Sequence, residues 1–90
     1  MPNYVAERHL PGITPDQLAA AAGRAKITTA EMTQEGTKVQ YLRSTFLPAE
    51  EKCYCLFEGE SAEAVEQANQ RAEVPYDRVV EAMHLSADEV

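Results

Sequence analysis

Strand-like and helix-like runs alternate along the chain, and punctuation residues mark the joins. Residues 3–10 carry Tyr4 and Val5, side chains that favour a pleated strand, and Pro11-Gly12 closes the run. Thr14-Pro15-Asp16-Gln17 reads as a helix start, with Thr14 as the N-cap, Pro15 in the first turn and Gln17 completing a capping box. Leu18, Ala21, Ala22, Ala25 and Met32 then recur at helical spacing until Gly36 stops the helix. Gly23 and the β-branched Ile27-Thr28-Thr29 weaken this helix. A close approach to the sheet accounts for Gly23. Residues 37–47, with Val39, Tyr41, Leu42 and Phe46, predict a second strand, and the polar link Pro48-Ala49-Glu50-Glu51 predicts a hairpin into a third. That third strand, residues 52–59, KCYCLFEG, is the most strand-like stretch of the chain. Ser61 caps a second helix with an apolar stripe of Ala64, Val65, Ala68 and Ala72, and Val74-Pro75 ends it. Residues 77–85 predict the last strand.

The order β-α-β-β-α-β is the split βαβ pattern. It predicts an α+β, ferredoxin-like fold: a four-stranded antiparallel sheet, strands one and three central, both helices on one face. One domain spans residues 1–86, followed by a loose tail at 87–90. The other sheet face lacks a cover. Strands two and three are apolar on both sides there (Tyr41 and Leu42, Cys55 and Leu56), whereas a wet face alternates more cleanly. Large apolar patches seldom stay exposed, so a homodimer packed through this face is expected.

Composition narrows the partners. Ninety residues fit a single domain that buries about 60% of its unfolded surface. Eight Lys and Arg against 15 Asp and Glu give a net charge of −7, which argues against nucleic acid and anionic membrane and mildly favours a cationic ligand. MPNYVAERHL does not read as a signal peptide, and the default location is the cytoplasm. Cys53 and Cys55 lie about 6–7 Å apart along their strand, too far for an unstrained disulfide, and are expected as thiols in a reducing compartment.

The candidate chemistry gathers on the central strands. Cys53 and Cys55 share one face of strand three, and as thiolates would be soft ligands for nickel, zinc or copper(I). They make only half a site, and free cysteine is also a common core residue. Glu7 and His9 share a face of strand one. If that face coincides with the cysteine face, Glu7, His9, Cys53 and Cys55 form a mixed metal-binding cluster; the register is open at this stage. His84 belongs at the opposite end of the strand pair from His9, so a site using both needs a dimer. Arg8 falls on the face opposite Glu7, and with Arg43 and Arg78 is expected to ion-pair with Asp and Glu or to hold an anion. No phosphate-binding glycine loop, CxxC, HExxH or nucleophile elbow is present, so no residue is assigned to catalysis.

MPNYVAERHLPG, RSTFLP, KCYCLFEGES and QANQRAEVPYDRVVEA run in order through nearly the whole chain. Together they resemble a small single-domain family of unknown function that includes a nickel-binding protein. The most specific parts are Glu7-Arg8, Cys55 and Pro75-x-Asp77-Arg78. The resemblance implies a ferredoxin-like shape related to dimeric α/β-barrel proteins, with nickel as the bound metal. Three readings follow: a dimeric metal-binding module; an enzyme or small-molecule binder with a pocket lined by Tyr41, Phe46, Phe57 or Met83; and an interaction protein with no site.

Overall fold

The computed structural model describes all residues, 1–90. The elements are β1 (Asn3–His9), α1 (Pro15–Gln34), β2 (Val39–Leu47), β3 (Lys52–Gly59), α2 (Ala62–Arg71) and β4 (Arg78–Ala82), with a 3-10 turn at Ala87–Glu89. The four strands form one antiparallel sheet in the order β2-β3-β1-β4. This is the expected ferredoxin-like arrangement, with β1 and β3 in the centre and both helices on one face.

Strand register decides what each face carries. Directly paired residues of antiparallel strands project to the same side. Tyr4 pairs with Phe57, Ala6 with Cys55 and Arg8 with Cys53, and all six are buried under the helices. Val5, Glu7 and His9 pair with Leu56, Tyr54 and Lys52 on the open face. In β2 the register shifts between Tyr41 and Arg43, so Leu42 is the extra residue of a bulge. Val39 and Tyr41 before the bulge, and Ser44 and Phe46 after it, all pair with helix-side residues of β3. The apolar pair Tyr41-Leu42 is therefore a bulge, not an apolar run on both faces.

Helix α1 is continuous through the β-branched segment because that segment meets β2. Thr28 and Thr29 are buried. The Thr29 hydroxyl accepts from the Tyr41 amide at 3.1 Å, and the Thr33 hydroxyl donates to the Val39 carbonyl at 2.7 Å while accepting from its amide at 3.2 Å. These hydroxyls satisfy backbone groups on an edge strand, a tertiary gain that outweighs the small propensity loss. The predicted contact at Gly23 is corrected: a Cβ placed there meets nothing within 4 Å. The last strand is shorter than expected, ending at Ala82 rather than 85, because Ala82 pairs with Asn3 and Pro2 just before it has no amide to extend the ladder.

Both helices begin on the expected caps. Thr14 and Gln17 close a capping box, and Ser61 accepts from the Ala64 amide. Both also end in one Schellman geometry. After α1 the Thr37 amide donates to Met32 and the Gly36 amide to Thr33; after α2 the Val74 amide donates to Asn69 and the Glu73 amide to Gln70. The left-handed position is a glycine in α1 (Gly36, φ 107°) but a glutamate in α2 (Glu73, φ 59°). An L-residue there carries strain that glycine avoids.

Two substitutions test these readings by thermal unfolding. Gly23→Ala is expected to stabilise the fold by about 0.5–1 kcal/mol, because the new methyl group has space and removes backbone freedom from the unfolded chain. Glu73→Gly is expected to stabilise by up to about 1 kcal/mol, through relief of the left-handed conformation. A melting temperature lowered by either change would contradict the account of that position.

Candidate functional site

The sheet separates the sequence-predicted ligands. Glu7 and His9 project from β1 onto the open face, while Cys53 and Cys55 point from β3 under the helices. The condition for the mixed Glu7, His9, Cys53 and Cys55 cluster is therefore not met within one subunit. More widely, no three His, Cys, Asp or Glu side chains converge on one point. The cause is register: Glu7 and His9 pair with the even-numbered Tyr54 and Lys52 of β3, so Cys53 and Cys55 fall on the other face, opposite Arg8 and Ala6.

On the open face Glu7 is engaged by Arg78 in an ion pair, and together with Lys52, Tyr54 and Asp77 they line a depression that Arg8 also borders. His9 is exposed at the end of β1. His84 lies beyond β4, next to the start of β1, so the two histidines sit at opposite ends of the strand as expected. The His84 ring is held by Arg43, whose Nη2 lies 2.7 Å from its Nδ1. Arg43 belongs to the far edge strand, so this contact reaches across the open face. Val5, Leu56 and Val80 form the half-buried apolar middle of that face, and Leu42, Met83 and Leu85 are exposed.

Under the helices lies a cluster that sequence reasoning divided among separate roles. Arg8 is 3% exposed and is the only charged residue among the buried ones. Its expected carboxylate partner is absent. Instead Nη1 donates to the Pro75 carbonyl at 3.0 Å and Nη2 to Asn69 Oδ1 at 2.9 Å, while Nε has no acceptor. Asn69 is held in turn by its own amide donating to the Val65 carbonyl at 2.8 Å. Beside Arg8, Tyr41 Oη and Ser44 Oγ lie 2.7 Å apart, Ser44 Oγ and Cys55 Sγ 3.0 Å, and Cys55 Sγ and Cys53 Sγ 3.7 Å. Burial pushes the Cys53 thiol up to about 11, with the neighbouring Cys55 adding to the rise. Burial likewise raises the Tyr41 hydroxyl. Cys53 is therefore a thiol at neutral pH, not a ready metal-binding thiolate. Sequence reasoning missed Asn69, whose signal was a polar residue beside the apolar stripe of α2, and Ser44, whose face is legible only once the bulge at Leu42 is known.

A profile of the family described as nickel responsive protein SCO4226-like matches residues 4–82. The chain belongs to that family. Among solved structures it is similar to SCO4226 from Streptomyces coelicolor A3(2), at 28% identity and a TM-score of 0.75, covering 93% of this chain and 99% of that one. Comparison with curated proteins gives no match. The SCO4226-like family and its fold thus agree with the resemblance carried by Glu7-Arg8, Cys55 and Pro75-x-Asp77-Arg78.

The raised Cys53 thiol sets a pH dependence for this SCO4226-like domain. The folded state holds that proton more tightly than the unfolded state does. Its contribution is complete below the ordinary thiol value near 9 and is lost as pH rises towards about 11. Melting temperature is expected to fall through this window in the native chain and to fall less in Cys53→Ala. Parallel curves for the two proteins would show that Cys53 is not the group involved.

Proposed function

We propose that this protein is a homodimeric, metal-responsive module that binds a transition metal such as nickel between two copies packed on the open sheet face. The observation that carries the reading is the placement of Glu7 and His9. They form a carboxylate–imidazole pair, two residues apart, on the face the helices leave uncovered, with the Glu7 carboxylate released from Arg78 when a metal takes its place. One subunit does not by itself fit a metal ion, because no third donor joins them. A second copy of the same pair completes a set of four nitrogen and oxygen donors, a set that suits nickel. The family description as nickel-responsive and the net charge of −7 both favour a cation. The apolar middle of the face, Val5, Leu56 and Val80, supplies the dry contact that association needs. In this arrangement the chain binds and reports the metal; no catalytic step is assigned to it.

The test is metal content and mass measured together on the tag-free chain, with and without nickel. Nickel is expected to bind reversibly, to convert the chain to a dimer or tighten an existing one, and to fall at least tenfold in affinity in both His9→Ala and Glu7→Ala. Cys55→Ala is expected to keep its nickel, because that sulfur lies on the other side of the sheet. Nickel lost on the Cys55 change alone would move the site under the helices, and no bound nickel in any form would sink the proposal.

A further inference from the structure

The buried face of the sheet holds a positive charge without a negative one. Arg8 is the only charged residue among the buried positions, and its two hydrogen bonds go to neutral oxygens on Pro75 and Asn69. A guanidinium stays protonated in proteins, so burial cannot relieve its charge by proton loss. Buried charges are ordinarily paired, since removing one from water is costly. Nε–H is left with no acceptor at all.

Arg8 also lines a small, partly open chamber between α1 and the sheet. Tyr41, Ser44 and Cys55 complete its polar side, and α1 supplies an apolar side that includes Leu18, Ala21 and Ala25. About 10 Å3 is open to the centre of a water-sized sphere, room for an occupant of one heavy atom.

Counting hydrogens shows what kind of occupant the site favours. Tyr41, Ser44, Cys55 and Cys53 form a linear chain of three contacts. Four X–H groups joined by three links leave one hydrogen unmatched, and it enters the chamber from Tyr41 when the chain donates from Cys53 towards Tyr41. Nε–H of Arg8 is a second. No carboxylate lines the chamber to receive either. The raised Cys53 thiol keeps its proton at neutral pH, which favours the count of four.

We propose that the chamber beneath α1 is a binding site for a single monovalent anion of halide size, held by Arg8 and the Tyr41–Ser44–Cys55 hydrogen-bond chain. Such an ion accepts hydrogen bonds without donating any, supplies the missing charge and fits a one-atom space. Carboxylates, sulfate and phosphate have too many heavy atoms. The site is on the opposite side of the sheet from Glu7 and His9, so it stands or falls independently of the metal proposal.

The test uses bromide as the probe, with the full chain unfolded thermally in bromide against gluconate at matched ionic strength. Gluconate is too large for the chamber. A saturable rise is expected, of roughly 5–10 °C at about tenfold over the dissociation constant, because the ion binds only the folded state. Arg8→Met is expected to abolish the rise. A crystal grown in bromide is expected to show anomalous density within hydrogen-bond distance of Arg8 Nε, a readout that does not depend on the variant folding. The proposal is overturned by any of four results: no saturable rise, the same rise in Arg8→Met, a water in place of the anomalous scatterer, or ultraviolet thiolate absorption at neutral pH that Cys55→Ser removes. The last would mean that the chain supplies the negative charge itself.

Discussion

Arg8 reaches from the central strand β1 to the end of α2, and much of the fold is fixed by how its guanidinium is held. Taking such a group out of water costs several kcal/mol unless polar atoms replace the lost hydration. Two of those atoms, Asn69 Oδ1 and the Pro75 carbonyl, bracket the turn that leaves α2. The same turn contains the left-handed Glu73 and the Val74 amide that caps Asn69. Two residues beyond Pro75, the Asp77 amide donates to the Glu7 carbonyl and β4 begins. A side chain in the first strand thus fixes where the last strand enters the sheet. With only five residues, β4 has little pairing of its own to set its register.

The sheet divides the chemistry of the chain into two compartments. Alternation along β1 sends Tyr4, Ala6 and Arg8 one way and Val5, Glu7 and His9 the other, and β3 follows in register. Strand β2 keeps the same division only because Leu42 is bulged out; without that extra residue Ser44 and Phe46 would turn to the open face. The bulge therefore places the Ser44 hydroxyl 3.0 Å from the Cys55 sulfur.

Most of the architecture was legible in the sequence because local signals and packing agree. The capping box at Thr14, the Ser61 cap, the glycine stop at Gly36 and the four-residue link after Leu47 each act where they were read. The faces of β1 and β3 followed from their parity, but the register between them did not, since neither strand carries a turn that fixes it. Ile27-Thr28-Thr29 looked like a weakness because helix propensity is local, whereas the bonds from Thr29 and Thr33 to β2 are tertiary. Arg8 illustrates the same limit. In a chain with 15 acidic residues a carboxylate partner was the natural expectation. Nothing in the sequence says that none of those carboxylates is buried.

That last point governs how ions meet this molecule. All 15 acidic side chains lie outside the buried set, so the surplus negative charge is at the surface, while the interior holds Arg8 alone. Surface charge is screened within about 10 Å at ordinary salt, but a charge beneath a helix is not. The net charge of −7 attracts cations to the molecule as a whole, while the open face itself carries Arg43, Lys52 and Arg78 against Glu7 and Glu58, and an ion inside meets Arg8. Charges of opposite sign are therefore kept on the two sides of a single sheet, Glu7 outside and Arg8 inside. The separation needs no large structure. It needs only that Glu7 and Arg8 are neighbours on one strand, where adjacent side chains point to opposite faces.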